Sequence, residues 1–204
     1  MCIRDRYLSA DLTPESRREY REVREAQMEF NPDEPQRAIT GLNDLRRMVA
    51  LDDNKLALVK ALRDDLRGRL VIFCWYRDTA FAVQEALAST TESAVYVGAM
   101  TDTQRQQALS QFLFTEDGTL IATLAALGEG VNLQHCHQVA YYEEDWIHER
   151  RNQARARFYR AGQTAPVVEY FLHARGTTDA IIHKRASRAG ARVEDIIRDL
   201  REMT

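Results

Sequence analysis

Cysteines and long apolar runs are scarce in this sequence of 204 residues. No segment approaches the roughly 18 to 20 consecutive apolar residues of a membrane-spanning helix, and residues 1–6 lack the apolar run of a secretory signal. The three cysteines, Cys2, Cys74 and Cys136, are odd in number and widely spaced. This pattern argues against a disulfide framework and predicts a reducing, intracellular setting. Internal repeats and low-complexity segments are absent from the sequence as well.

The distribution of charge says more than its total. The formal net charge is −3, which does not by itself indicate a nucleic-acid binder. However, five arginines and a single acid lie between Ile147 and Arg160, and a second basic stretch extends from Arg175 to Arg192. A solvated helix face is the ordinary interpretation of such a cluster. The spacing of the residues within it must therefore decide whether it has a function.

The first third of the chain predicts helices and no strand. Thr13 followed by Pro14 is typical of a helix start, and the helical pattern continues to about Phe30. A breaker at 31–35 separates it from helices predicted over 38–48 and 55–66. We therefore expect residues 1–66 to form a helical connector that lies outside the sheet.

After Gly68, apolar strand patterns alternate with helical ones. The run from Leu70 to Cys74 is continuously apolar, as expected of a strand buried on both faces of a parallel sheet. The alternation predicts an α/β fold with a mostly parallel sheet and helices on both faces. Ligands bind beyond the carboxyl ends of such strands. This singles out the loops at 75–77, 98–101, 124–132 and 143–146.

Two segments of this edge have residues suited to phosphate. Gly128 and Gly130 let the backbone approach a ligand closely, although a tight turn is the ordinary interpretation of such a pair. Gln153, Arg157 and Arg160 are spaced four and three apart, so they share one helix face. Amide and guanidinium groups that converge in this way are typical of a polyphosphate clamp.

These segments belong to a longer series of motifs. Five landmarks follow in order: a strand at 71–73, Gly98 with Arg105 and Phe112, Gly-x-Gly-x-Asn-Leu at 128–133, Asp145-Trp146 with Gln-x-x-x-Arg-x-x-Arg-x-Gly-Gln at 153–163, and Gly-Thr-x-Asp at 176–179. Together they resemble the C-terminal helicase lobe of Swi/Snf-type superfamily-two ATPases. Short forms from phages and bacteria resemble the chain most. The resemblance implies a RecA-like fold.

The resemblance also implies a role for each matching residue. Arg157 and Arg160 would be arginine fingers that reach the γ-phosphate of ATP, and Gln153 would order that catalytic cleft. The loop that binds ATP and couples it to DNA would contain Gly128, Glu129, Gly130 and Asn132. Contacts to the nucleic-acid backbone would come from Met100, Thr101, Thr123 and Trp146.

One half of the ATPase motif set has no counterpart in the sequence. There is no Gly-x-x-x-x-Gly-Lys-Ser/Thr loop and no Asp-Glu-x-His box. ATP and Mg²⁺ would therefore be held mainly by a missing N-terminal lobe, to which residues 1–66 would be the connector. The first few residues match nothing in the family and are expected to be a truncated or misassembled start. Residues 67–204 would form the C-terminal RecA-like lobe with its terminal helices.

The implied function is that of the C-terminal half of an ATP-dependent DNA translocase or helicase, inactive alone, in the cytoplasm of a bacterium or phage-infected cell. Its partner would be duplex DNA, bound without regard to sequence, with RNA also possible. Two alternatives stay open: a non-catalytic nucleic-acid-binding RecA-like domain, and a free-standing α/β domain that binds a small molecule.

Three other groups of residues receive less functional interpretations. His135, Cys136 and His137 are adjacent and cannot all surround one tetrahedral ion, so a loop or buried position is predicted for them. The acids at 143–145 are expected to cap the helix that follows. Cys74 is expected to be an inert thiol of the core.

Overall fold

The computed structural model describes residues 3–27, 35–127, 131–159, 163, 165–186 and 192–202. Within them the strands are β1 (Ile3–Ala10), β2 (Leu70–Cys74), β3 (Ser93–Tyr96), β4 (Thr119–Thr123), β5 (Gln138–Tyr141) and β6 (Val167–Ala174). The helices are α1 (Pro14–Gln27), α2 (Pro35–Ala50), α3 (Asp53–Asp65), α4 (Arg77–Leu87), α5 (Asp102–Phe114), α6 (His148–Phe158), α7 (Thr178–Ala186) and α8 (Val193–Glu202). In this part of the chain, no helix combines the length and the apolar character needed to cross a membrane.

The six strands form one sheet in the order β1-β6-β5-β2-β4-β3. Every pairing between them is parallel, and the buried strand β2 lies at the centre between β4 and β5. All carboxyl ends therefore meet at the same edge of the sheet, where the predicted ligand loops follow them. The predicted α/β fold with a parallel sheet is confirmed.

Alternation along β2 explains why helices cover both faces of this sheet. Val71 and Phe73 point into a core that includes residues of α5 and α6. Leu70, Ile72 and Cys74 point into the opposite core, to which α3 and α4 contribute. All five side chains are buried completely, since successive residues of a strand face opposite sides and both sides are packed here.

The prediction that the first third contains no strand is wrong. Residues 3–10 form β1, which pairs with β6 from Ile3 opposite Val167 to Ala10 opposite Ala174. As an edge strand, β1 is held by main-chain hydrogen bonds to β6 and needs few buried side chains of its own. Its charged residues are exposed, and Tyr7 stacks on the ring of Phe171 at 5.3 Å. A charged edge strand lacks the apolar pattern by which strands are predicted.

The helices predicted after this strand are present in the described residues. Asp52 caps α3 by accepting hydrogen bonds from the backbone N–H groups of Asn54 and Lys55. However, these helices pack closely on the lobe instead of forming an arm outside it. Lys55 is buried and its Nζ lies 2.6 Å from the Asp179 carboxylate of α7, while Tyr142 donates to the Ala50 carbonyl at 2.6 Å.

A third core joins the two ends of the chain. Residues of α1 and α2 pack there against residues of α7 and α8, and these include Tyr20, Leu42, Leu45, Ile181, Ile196 and Leu200. The helices on either side of the sequence position 66/67 thus share buried apolar surface. Division of the chain into two domains at that position stays a prediction.

Candidate functional site

One face of α6 lines a cavity at the carboxyl edge of the sheet. Arg150, Gln153 and Arg157 follow one another at intervals of three and four residues, so they lie on the same side of the helix. The cavity has a volume of about 170 Å³. The rest of its described lining is apolar and consists of Phe73, Leu124, Ala125, Leu127 and Ala154. Gln153 and Arg157 therefore converge on one cavity, as their spacing predicts.

The side chain of Arg157 is partly exposed at this cavity. Among the described residues, no hydrogen bond or ion pair engages its guanidinium group. The helix at this point is anchored through its backbone, since Leu133 N–H donates to the carbonyl of Arg157 at 3.3 Å. The donors of Arg157 are thus available to a ligand. Arg160, predicted to act beside it, lies outside the described residues.

A second face of α6 has arginines of a different kind. Arg155 contacts the buried carboxylate of Glu169 through two of its nitrogens and lies 3.8 Å from Asp5. Burial lowers the pKa of Arg155, but the hydrogen bond and charge attraction of Glu169 outweigh this and raise it above its usual range. Arg151 contacts the buried carboxylate of Glu144 through a single nitrogen, Nη1, at 3.3 Å. These two arginines hold the helix to the sheet.

Arg150 is a cavity residue that sequence reasoning missed. Its Nη1 lies 3.2 Å from the Asp145 carboxylate, and its guanidinium lies 5.7 Å from the ring centre of Trp75. The signal was present, because Arg150 lies three residues before Gln153 and seven before Arg157. The motif at 153–163 begins after Arg150 and so does not include it.

The predicted phosphate loop is described only in part. It begins directly after Leu127 of the cavity wall, but Gly128, Glu129 and Gly130 lie outside the described residues. Asn132 is exposed, and its Oδ1 accepts a hydrogen bond from Gln134 N–H at 3.1 Å.

The candidate nucleic-acid contacts are distributed over the loops that follow β3, β4 and β5. Thr101 is exposed and caps α5 through a reciprocal pair of hydrogen bonds with Gln104. Met100 is half-buried and packs against the hydrophobic cores on both faces of the sheet. Thr123 ends β4 and is buried, with 7% of its surface exposed. Trp146 is half-buried and packs against Trp75 and Arg46.

The stack at Trp146 includes residues from α2 and the loop after β2. The rings of Trp146 and Trp75 lie 5.5 Å apart, and the guanidinium of Arg46 lies 5.1 Å from the first and 4.9 Å from the second. Arg46 is buried and donates to the carbonyl of Glu144 at 2.7 Å. The stack therefore connects α2 to the loop from which α6 starts.

The prediction that the acids at 143–145 cap α6 is wrong for Glu143 and Glu144, and only Asp145 contacts the start of that helix, whose N-cap residue Ile147 makes no side-chain cap hydrogen bond of its own. Each acid has separate partners instead. Glu143 accepts from the N–H groups of Trp75 and Tyr76, and burial raises its pKa. Asp145 accepts from Ile147 N–H and contacts Arg150, and burial raises its pKa as well.

Glu144 lies in a cluster that the sequence did not reveal. His173 Nε2 and His183 Nδ1 lie 2.9 and 2.6 Å from its Oε1. Burial would raise the pKa of Glu144, but the hydrogen bonds and charges of the two histidines hold it at about 2. The acid thus stays ionised although it is almost fully buried.

The cysteines behave as core thiols. Cys74 and Cys136 are both buried, and desolvation raises both thiol pKa values, that of Cys136 to about 12. Neither has thiolate character at neutral pH. His135 is exposed in the loop before β5, consistent with the structural interpretation of the His-Cys-His segment.

The family model of the helicase conserved C-terminal domain matches residues 54–162, which is more than half of the chain. The chain belongs to this family. The matched range extends from α3 through all but the last residue of the motif at 153–163, and it includes every described residue of the cavity. The predicted resemblance to a helicase C-terminal lobe is therefore confirmed.

Two relatives illustrate the family. Zorya protein ZorD from Escherichia coli O139:H28 (strain E24377A / ETEC) is 27% identical over 124 residues, which are 57% of this chain and 12% of ZorD. The chromatin-remodeling ATPase INO80 from Pyricularia oryzae (strain 70-15) is 42% identical over 67 residues, which are 33% of this chain and 3% of that protein. This helicase C-terminal domain thus spans a small part of the length of these relatives.

Solved structures share the fold. The C-terminal part of the Fun30 ATPase domain matches with a TM-score of 0.76 at 12% identity. The match covers 98% of this chain and 95% of the Fun30 chain. The Sulfolobus solfataricus SWI2/SNF2 ATPase core in complex with dsDNA matches with a TM-score of 0.72 at 20% identity. The match covers 89% of this chain and 43% of the SWI2/SNF2 chain. The RecA-like architecture predicted for the sheet and its helices is confirmed.

Proposed function

We propose that this helicase C-terminal domain is half of an ATP-driven DNA translocase or helicase, and that it is inactive alone. The observation that carries the proposal is the cavity face of α6, where Gln153 and Arg157 lie side by side and the Arg157 guanidinium has no internal partner among the described residues. An arginine held in this way is a ready donor for a phosphate, because its planar fork matches two phosphate oxygens at once.

The chemistry assigned to this face is charge stabilisation. As the γ-phosphoryl group of ATP is transferred to water, negative charge spreads over its oxygens, and an arginine placed there raises turnover by about a thousand- to a hundred-thousand-fold. Arg157 takes this role in the proposal, with Arg160 beside it and Gln153 ordering the cleft. Arg150 adds a further positive charge to the same wall.

The described cavity lining does not fit magnesium. Mg²⁺ is bound through carboxylate and phosphate oxygens, whereas the lining consists of arginines, an amide and apolar side chains. We therefore assign Mg²⁺ and the grip on the ATP phosphates to a second lobe, supplied by another part of a longer protein. The names of relatives such as chromatin-remodeling ATPase INO80 support ATP as the substrate.

Duplex DNA is the proposed track. A SWI2/SNF2 ATPase core of the same fold has been solved in complex with dsDNA. The loops after β3, β4 and β5, with Met100, Thr101, Thr123 and Trp146, lie at one sheet edge and are the proposed contact surface. Contact through the phosphate backbone would be independent of sequence, as a translocase requires.

ATP hydrolysis tests the assignment of Arg157. In a protein that joins this domain to its N-terminal lobe, Arg157→Ala should lower DNA-stimulated turnover by about a thousandfold or more while DNA affinity changes little. Arg157→Lys should restore little, because a point charge does not replace the guanidinium fork. Steady-state ATPase assays with and without DNA, beside a DNA titration, measure both quantities.

Arg21→Ala is the matched control, because Arg21 is an exposed arginine on α1 away from the cavity, and it should leave turnover unchanged. Residues 1–204 alone should hydrolyse ATP no faster than buffer. Turnover by the isolated chain would contradict the two-lobe assignment. Full activity in Arg157→Ala would favour a non-catalytic nucleic-acid-binding domain.

DNA binding is tested separately. The logarithm of the association constant for duplex DNA should fall linearly with the logarithm of salt concentration, with a slope of about −0.9 for each phosphate neutralised. Scrambled duplexes of equal length should bind equally well. Fluorescence anisotropy across a salt series measures this, and binding that ignores salt or discriminates between sequences would rule out the proposed backbone contact.

A further inference from the structure

Glu144, His173 and His183 come together from three separate elements. Glu144 follows β5, His173 lies on β6 and His183 lies on α7, and each offers one ligand atom within 4.8 Å of the other two. The two imidazole nitrogens face the same carboxylate oxygen, Oε1 of Glu144, at 2.9 and 2.6 Å. Three possible ligand atoms from separate elements thus lie close enough together to hold a metal ion.

We propose that Glu144, His173 and His183 bind a divalent transition-metal ion, with Zn²⁺ as the preferred ion. Two imidazoles and a carboxylate form a three-ligand set that zinc accepts, with a water molecule in the fourth position. Zinc would bind these donors at about 2.0 to 2.2 Å, which places them about 3.3 Å apart in a tetrahedron. The two histidine nitrogens therefore need to move only a few tenths of an ångström away from Glu144 Oε1, but they also need to approach each other, because the three ligand atoms now extend over 4.8 Å. The ion would take the place of the hydrogen bonds that now join the side chains.

The surroundings hold the ligands in place. Arg151 contacts the other oxygen of Glu144 at 3.3 Å and so leaves Oε1 as the one that faces the histidines. Aromatic rings form the walls: Tyr7 meets His183 edge-on at 5.1 Å, and Phe171 lies 5.1 Å from the same imidazole. Partners of this kind orient metal ligands and exclude competing rotamers.

The charge balance selects the kind of ion. Because Arg151 already compensates the charge of Glu144, the site offers little surplus negative charge to a hard cation such as Mg²⁺ or Ca²⁺, which binds through several oxygens. Neutral imidazole nitrogens supply most of the binding instead, and they favour zinc and its transition-metal neighbours. The site would tie β6 and α7 to the loop from which α6 starts, independently of the ATP cavity.

Zinc binding by the chelator-treated chain tests the proposal. Equilibrium dialysis should show one Zn²⁺ per chain, and a large excess of Mg²⁺ should not displace it. His173→Gln and His183→Gln should each lower zinc affinity at least tenfold. His135→Gln is the matched control, since this exposed histidine lies outside the cluster, and it should bind zinc like the unsubstituted chain.

Two further readouts keep the test decisive. Co²⁺ should give the visible bands of a tetrahedral nitrogen and oxygen site in the unsubstituted chain and lose them in both cluster variants. Circular dichroism without metal shows whether each variant is folded, and two single variants ensure that one misfolded protein does not decide the result. Absence of stoichiometric zinc, or wild-type affinity in both cluster variants, or loss of zinc in His135→Gln would overturn the proposal.

Discussion

At the scale of single residues, α6 has arginines with different environments although they are neighbours in sequence. Arg155 is paired with Glu169, whose side chain is completely buried, whereas Arg157 faces the cavity without an internal partner in the described residues. Removing one partner of a buried ion pair leaves an uncompensated charge, which is far more costly than removing an exposed charge. The two arginines should therefore differ in stability effects as well as in activity.

Arg155→Met should lower the free energy of unfolding by about 3 to 5 kcal/mol, because Glu169 loses its main partner inside the protein. Arg157→Met should change it by less than about 0.5 kcal/mol. Urea denaturation followed by circular dichroism measures both. The double variant Arg155→Met with Glu169→Leu should recover most of the loss. Equal free energies of unfolding for Arg155→Met and Arg157→Met would contradict the distinction between a face of α6 that is paired with the sheet and a face that is open to the cavity.

At the scale of an element, the start of α5 shows how a loop residue can serve the fold. Thr101 accepts a hydrogen bond from Gln104 N–H, and the Gln104 side chain accepts from Thr101 N–H, so two backbone donors of the first turn are satisfied. Further along the helix, Arg105 donates to the Gly98 carbonyl at 2.8 Å and closes the loop after β3. The family's glycine and arginine landmarks thus act locally on this loop.

Thr101→Ala should lower the free energy of unfolding by about 0.5 to 2 kcal/mol, because the capping oxygen is lost. Thr101→Ser keeps that oxygen and should retain nearly all of the stability. Urea midpoints of the two variants, compared with the unsubstituted chain, check the difference. Equal losses in both variants would mean that the methyl group of Thr101, and not its hydroxyl, stabilises the loop.

At the scale of the whole molecule, the helices near both ends of the chain form one body with the sheet. Lys55 of α3 pairs with Asp179 of α7, and the third core packs α1 and α2 against α7 and α8. The guanidinium of Arg46 on α2 lies against the rings of both Trp75 and Trp146 at the sheet edge. These contacts cross the position at which the sequence suggests a boundary between connector and lobe.

The described part of the chain should consequently unfold as one cooperative unit. Tryptophan fluorescence, which reports on the stack at the sheet edge, and far-UV circular dichroism, which reports on the helices, should give coincident urea transitions. Leu42→Ala, in the third core, should shift both transitions together and cost about 2 to 5 kcal/mol. Loss of helical signal before the fluorescence change would show instead that residues 1–66 are a separate domain.

Much of the fold could be predicted from the sequence because its signals are local. The continuous apolar run of Leu70 to Cys74 predicts a doubly buried strand, and the spacing of Gln153 and Arg157 predicts a shared helix face. Both depend only on the two-residue and 3.6-residue periods of strands and helices. The edge strand β1 escaped prediction since its stability comes from pairing with β6, more than 150 residues away in sequence.

By itself, the sequence determined the order of the strands and helices after Gly68, the family and two of the three polar residues that face the cavity, because periodicity and motif spacing are properties of neighbouring residues. Only the tertiary structure decided which charges are partners. Glu144 meets His173 and His183 because β5 and β6 are adjacent strands and α7 packs beside them. Arg155 meets Glu169 because α6 lies against β6. Such contacts depend on the sheet order, which no local pattern encodes.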